Sequence, residues 1–128
     1  MKKLQLMSLM LALFAGLILA GVEPAINLTG TWEGPTYADG PGIELTMTLV
    51  LKHEGETITG AINDDLGYID CEIKDPKIEG GVFTFSATAM TPDGDVPVNF
   101  KLNISEAALE GEWTAGDVAY GSWTANKK

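Results

Sequence analysis

From Ile43 onward the chain changes polarity at nearly every residue, and this period of two constrains its fold more than any other feature. In an extended segment Ile43, Leu45, Met47, Leu49 and Leu51 would point one way, with Glu44, Thr46, Thr48 and Lys52 mostly on the other side. Ile69, Cys71 and Ile73 alternate with Asp70, Glu72 and Lys74, and Phe83, Phe85, Ala87 and Ala89 with Thr84, Ser86 and Thr88. Val96, Val98, Phe100, Leu102 and Ile104 repeat the pattern. Successive side chains of a strand leave opposite faces, so each run predicts a strand with one dry and one wet face. Turn-forming clusters separate the runs: Asp39-Gly40-Pro41-Gly42, Glu54-Gly55, Asn63-Asp64-Asp65, Asp75-Pro76, Gly80-Gly81, Pro92-Asp93-Gly94 and Gly116-Asp117. Most of them follow one another too closely for crossover helices, so neighbouring strands run antiparallel through hairpins. The expected fold is all-β, an eight-stranded antiparallel up-and-down meander closed into a barrel. The first strand pairs with the last, because closure removes the unpaired edges of an open sheet.

A short motif supports closure at the two ends of the chain. Each tryptophan follows a glycine two positions back, in Gly30-Thr31-Trp32, Gly111-Glu112-Trp113 and Gly121-Ser122-Trp123. Residues two apart share a face, and a glycine leaves room for an indole from the next strand while permitting strong coiling. The segments around Thr31 and Ser122 are expected to pair, with Trp32, Trp113 and Trp123 grouped on the inner face of one sector. Gly30, Gly60, Ala87, Ala89 and Gly111 are small residues expected mostly on that same face, where a cluster of them would open a small apolar pocket beside the indoles.

The first twenty residues stand apart from this pattern. Lys2 and Lys3 precede an apolar run, Leu4 to Leu19, and the small residue Ala20, which together read as a signal peptide over residues 1–20. The run is near the lower limit for spanning a bilayer, so cleavage is expected rather than anchoring. Val22 stands where a lipoprotein would need its cysteine, and the opening Met-Lys-Lys resembles bacterial export signals. The expectation is a lead-in segment over 21–27 and a barrel over 28–125, exported to the periplasm or beyond, with the signal peptide alone meeting a membrane. This exported part carries all 18 acids against six lysines and no arginine. Nucleic acid and anionic membrane surfaces both need clustered cations, so neither is expected as a partner. The single cysteine, Cys71, allows no intramolecular disulfide, and stability has to come from a core.

Leu28-Thr29-Gly30-Thr31-Trp32, Gly55-Glu56-Thr57-Ile58-Thr59-Gly60 and Trp123-Thr124-Ala125 resemble the calycin group of barrels. Within that group the spacing is closest to avidin and streptavidin, and it is also similar to the lipocalin-like domains of small exported bacterial proteins. The resemblance covers nearly all of the chain beyond the leader and implies this barrel fold. It does not imply biotin binding. Avidins follow the opening tryptophan with a polar side chain that bonds the ureido group, and here Glu33-Gly34 follows Trp32. They place a tyrosine just after the second strand's Thr-Gly, and here Ala61-Ile62 follows Thr59-Gly60. Trp113 and Trp123 are the positions matching the late tryptophans that stack on ligand.

Catalytic chemistry finds little support. His53 reads as a solvated strand-end residue, with a catalytic base or haem ligand as the sharper alternative. Cys71 reads as a small buried hydrophobe, with a nucleophilic thiol as the alternative. Catalytic carboxylates need desolvated or paired settings, and nearly every acid here falls in a turn or on a polar face. Asp64-Asp65 and Asp93-Gly94-Asp95 read as turns rather than calcium ligands, since neither fits a twelve-residue calcium loop. Asn27-Leu28-Thr29 and Asn103-Ile104-Ser105 would accept glycans only in a eukaryotic secretory route. No catalytic residue, metal or cofactor is expected. The expected function is a non-enzymatic module binding a small apolar or aromatic ligand in the barrel, with Trp32, Trp113, Trp123, Ala87, Ala89 and Phe85 as candidate ligand-binding residues. The alternative is a filled barrel acting through its acidic surface as an envelope structural or protein-interaction domain. A cavity search separates the two, since a barrel of this strand number either fills with its own side chains or holds one small ligand.

Overall fold

The alternating runs form strands wherever their dry faces can meet. The computed structural model describes residues 26–128, so the expected signal peptide and residues 21–25 of the lead-in segment lie outside the described residues. Nine strands occur among the described residues: β1 Gly30–Ala38, β2 Ile43–Glu54, β3 Thr57–Asp64, β4 Asp70–Glu72, β5 Lys74–Glu79, β6 Val82–Thr91, β7 Gly94–Ile104, β8 Ala108–Ala115 and β9 Ala119–Lys127. They form one sheet in the order β4-β3-β2-β1-β9-β8-β7-β6-β5, with every neighbouring pair antiparallel. The first strand pairs with the last, and the sheet curls into a nearly closed barrel.

Nine strands stand where eight were expected, because the run from Ile69 to Lys74 divides at Ile73. β4 bonds to β3, while β5 bonds to β6 on the opposite edge of the sheet. Asp75 sits in the left-handed region with φ of 52°, and Pro76 after it has no N–H to give a ladder, so the register shifts between Lys74 and Lys77. The chain thereby changes partner in mid-course and carries the barrel across its own gap. Ile69 bridges to Ala89, Met90 N–H donates to Tyr68 O at 2.7 Å, and Thr88 N–H donates to Cys71 Sγ at 3.4 Å. Half-buried Cys71 is therefore part of the partial seam between β4 and β6.

The pairing of β1 with β9 also differs in register from the expectation. Trp123 stands opposite Thr36 and Lys127 opposite Trp32, while Thr31 O accepts from Lys128 N–H rather than lying near Ser122. The slide is an even number of residues, so every side chain keeps its expected face. Glycine makes the closer approach tolerable. A Cβ on Gly121 would strike the Tyr37 carbonyl and come within 2.9 Å of the Trp113 ring, and one on Gly111 would strike the Lys101 carbonyl. These glycines admit a neighbouring backbone or indole and leave no void of their own.

The two ends of the barrel differ. At one, Leu28 is 1% exposed and caps the interior. Its N–H donates to His53 Nδ1 at 3.1 Å, and Thr29 Oγ1 donates to His53 O at 3.3 Å. His53, expected to be solvated, is buried because Asn27, Leu28 and Thr29 fold back over it. At the other end lie the four hairpin loops Asp39–Gly42, Asp65–Ile69, Pro92–Asp93 and Gly116–Val118.

Candidate functional site

On β1, β6, β7 and β8 the inward side chains shrink from the capped end of the barrel to the loop end. β1 runs inward through Trp32, Thr36 and Ala38; β6 through Phe83, Phe85, Ala87 and Ala89; β8 through Leu109, Trp113 and Ala115. β7 passes from Leu102 and Phe100 to Val98 and Val96. A barrel of near-constant girth fills where these residues are large and stays open where they are small.

In the filled half the aromatic rings form a chain. Phe85 stacks on Phe100 with centroids 4.5 Å apart, and Phe100 meets Trp123 edge-on at 5.9 Å. The three indole N–H groups all donate to β1 or the residues leading into it. Trp32 Nε1 donates to Leu28 O at 2.9 Å, Trp123 Nε1 to Gly34 O at 2.8 Å, and Trp113 Nε1 to Thr36 Oγ1 at 2.9 Å. Because the acceptors succeed one another along the strand, the indoles lie at different heights in one sector rather than side by side.

The open half holds a cavity of about 340 Å³, at the small end of the range for ligand sites. Its walls are apolar: Ala38, Leu45, Met47, Ala89, Val98, Trp113, Ala115 and Ala119. Pro41, Tyr68, Thr91, Pro92, Asp93 and Val118 border its mouth among the loops. Asp64 is buried and positions one of those loops: its carboxylate accepts from Ile69 N–H at 2.6 Å and Leu66 N–H at 3.0 Å. Asp65 caps the next rung, accepting from Thr46 N–H at 2.9 Å. Among the described residues no group of three or more histidines, cysteines, aspartates or glutamates is placed to hold a metal ion.

Of the six residues expected around a ligand, Trp113 and Ala89 line this cavity. Trp32, Trp123, Phe85 and Ala87 are buried in the filled half, and Phe85 also borders a shallower hollow of about 460 Å³ with polar Thr84, Ser86, Asn99, Lys101 and Glu112. Ala38, Ala115 and Ala119 were not expected there; for Ala38 and Ala115 the signal lay in the fall of inward side-chain size along β1 and β8, whereas β9 passes from Ala125 through Trp123 to Ala119 and shows no such trend. Thr36 was missed as well; it looked like any polar strand residue, yet it is buried and joins Trp113 to the Ser122 carbonyl. On the outer wall the Thr48 hydroxyl and the Lys128 ammonium, 2.8 Å and 3.1 Å from Glu33, hold its carboxyl below the ordinary carboxylate range. Glu33 lies far along β1 from the cavity and serves the β1–β9 junction. Compared with known proteins, the sequence matches no family model and no curated relative.

Proposed function

We propose that this chain is an exported, non-enzymatic, calycin-like barrel that takes one small apolar or aromatic ligand through its open end. The observation that carries the reading is the apolar cavity beside Trp113, bounded by four alanines and reaching the loops, in a barrel capped at its other end by Leu28. Burying apolar ligand surface against such walls is favourable by about 25 cal/mol per Å². Exposed Leu66, Tyr68 and Val118 beside the mouth give an apolar ligand a first contact. Export rests on Lys2, Lys3, the apolar run and Ala20. The alternative, a wholly filled barrel working through its surface, is less favoured because filling is confined to one half.

The test uses protein recovered from the exported fraction, whose intact mass should match a chain beginning just after Ala20. Titration with neutral N-phenyl-1-naphthylamine should give a saturable rise in its emission. Ala115→Phe should weaken that binding by about tenfold or more, a loss of roughly 1.4 kcal/mol, with an unchanged melting profile. Emission that never saturates, or equal binding by the variant, would overturn the reading.

A further inference from the structure

Acids stand at both ends of the barrel, but the lysines among the described residues are sorted along its axis. Each of the four loops at the open end carries an aspartate: Asp39, Asp65, Asp93 and Asp117. Glu44, Asp70 and Asp95 stand one or two residues into the adjoining strands. No lysine lies in those loops. Lys52, Lys77, Lys101, Lys127 and Lys128 are toward the capped end, and Lys74 sits at mid-height opposite Ser86. The three ion pairs among the described residues, Lys52–Glu54, Lys77–Glu79 and Lys128–Glu33, are all toward the capped end as well. The carboxylates of the mouth are left without a neutralising cation among the described residues, and Asp93 itself borders the cavity.

We infer that the ligand of this cavity is a cationic amphiphile: an apolar or aromatic body seated among the alanines, with an ammonium-type head at the rim near Asp93 and Asp117. The inference rests on the proposed ligand site and adds the sign of charge that the site accepts. A concave mouth lined by one sign of charge over low-dielectric walls concentrates the field and raises the local level of the opposite charge. The same field repels a carboxylate or sulfonate head that would otherwise fit. Because the rim acids are solvent-exposed, the preference falls as salt screens them. The acids define no site by themselves; the cavity is the site, and they choose among ligands of one shape.

A matched series separates the two claims: 2-naphthylmethylammonium, 2-naphthylmethanol and 2-naphthoate, each titrated calorimetrically at low and at high salt. The ammonium should bind about tenfold or more tighter than the carboxylate at low salt, with the alcohol between them, and the gap should narrow at high salt. Asp93→Asn combined with Asp117→Asn, both exposed turn residues, should weaken the ammonium's binding and shrink the gap, with a smaller change in the alcohol's affinity. Equal affinity for all three probes, or a preference for the carboxylate, overturns the charge inference while the ligand site stands. Failure of all three to bind overturns both. A gap that survives the double substitution and high salt would show that the charge preference does not come from the rim, which also contradicts the inference.

Discussion

A single indole shows how much one residue contributes to this barrel. Trp123 is 1% exposed, donates to the Gly34 carbonyl and meets the Phe100 ring edge-on. Removing it leaves a void in the filled half, and Trp123→Ala should cost about 3–5 kcal/mol. Thr36 is a subtler case, since its hydroxyl serves the Trp113 indole and the Ser122 carbonyl together. Thr36→Val keeps the shape but strands both groups, so a loss of about 1–3 kcal/mol is expected. Denaturant melts of the two variants measure both losses; an unchanged Thr36→Val midpoint would mean the indole finds another acceptor. The face of each tryptophan was legible in the sequence from its place in an alternating run. Its height in the barrel was not, because height depends on the β1–β9 register, and an even slide leaves the alternation unchanged.

Among the elements, the passage from β4 to β5 is where local chemistry overrides pattern. The alternation through Ile69, Cys71 and Ile73 reads as one strand, and the structure breaks it at Ile73 because the two halves bond to opposite edges of the sheet. Asp75-Pro76 was legible as a turn signal, but it serves as a kink within a crossing segment rather than as a hairpin. No short-range rule distinguishes these, since the difference lies in where the partners are. Asp75 holds φ of 52°, a conformation that glycine adopts freely and β-branched residues resist. Asp75→Gly should therefore leave stability nearly unchanged, whereas Asp75→Val should lower it by about 1–2 kcal/mol. Thermal melts of the pair check this, and equal effects would place the strain elsewhere. The small residues illustrate the same limit: Gly111 and Gly121 read as gaps, yet they are filled by a neighbour's carbonyl and an indole. The gap lies at alanines of the strand ends.

At the scale of the whole molecule, size and charge run along one axis. Among the described residues, large inward side chains and all the lysines but Lys74 gather toward the end capped by Leu28, while unpaired aspartates and most inward alanines gather at the other. A meander makes this arrangement natural, since every second turn lies at the same end and loops distant in sequence come together. The barrel was legible from period and turn spacing; the cavity needed the register that turns inward lists into layers. The claim that this cavity receives a ligand is tested most directly by methyl NMR of the folded chain during titration with neutral 2-naphthylmethanol. The account predicts saturable shifts at methyls of Ala38, Leu45, Met47, Ala89, Val98 and Ala115, with Leu28, Ile62, Leu102 and Leu109 unmoved. Shifts confined to outward residues such as Val50, or no saturable shift at any cavity methyl, would contradict it.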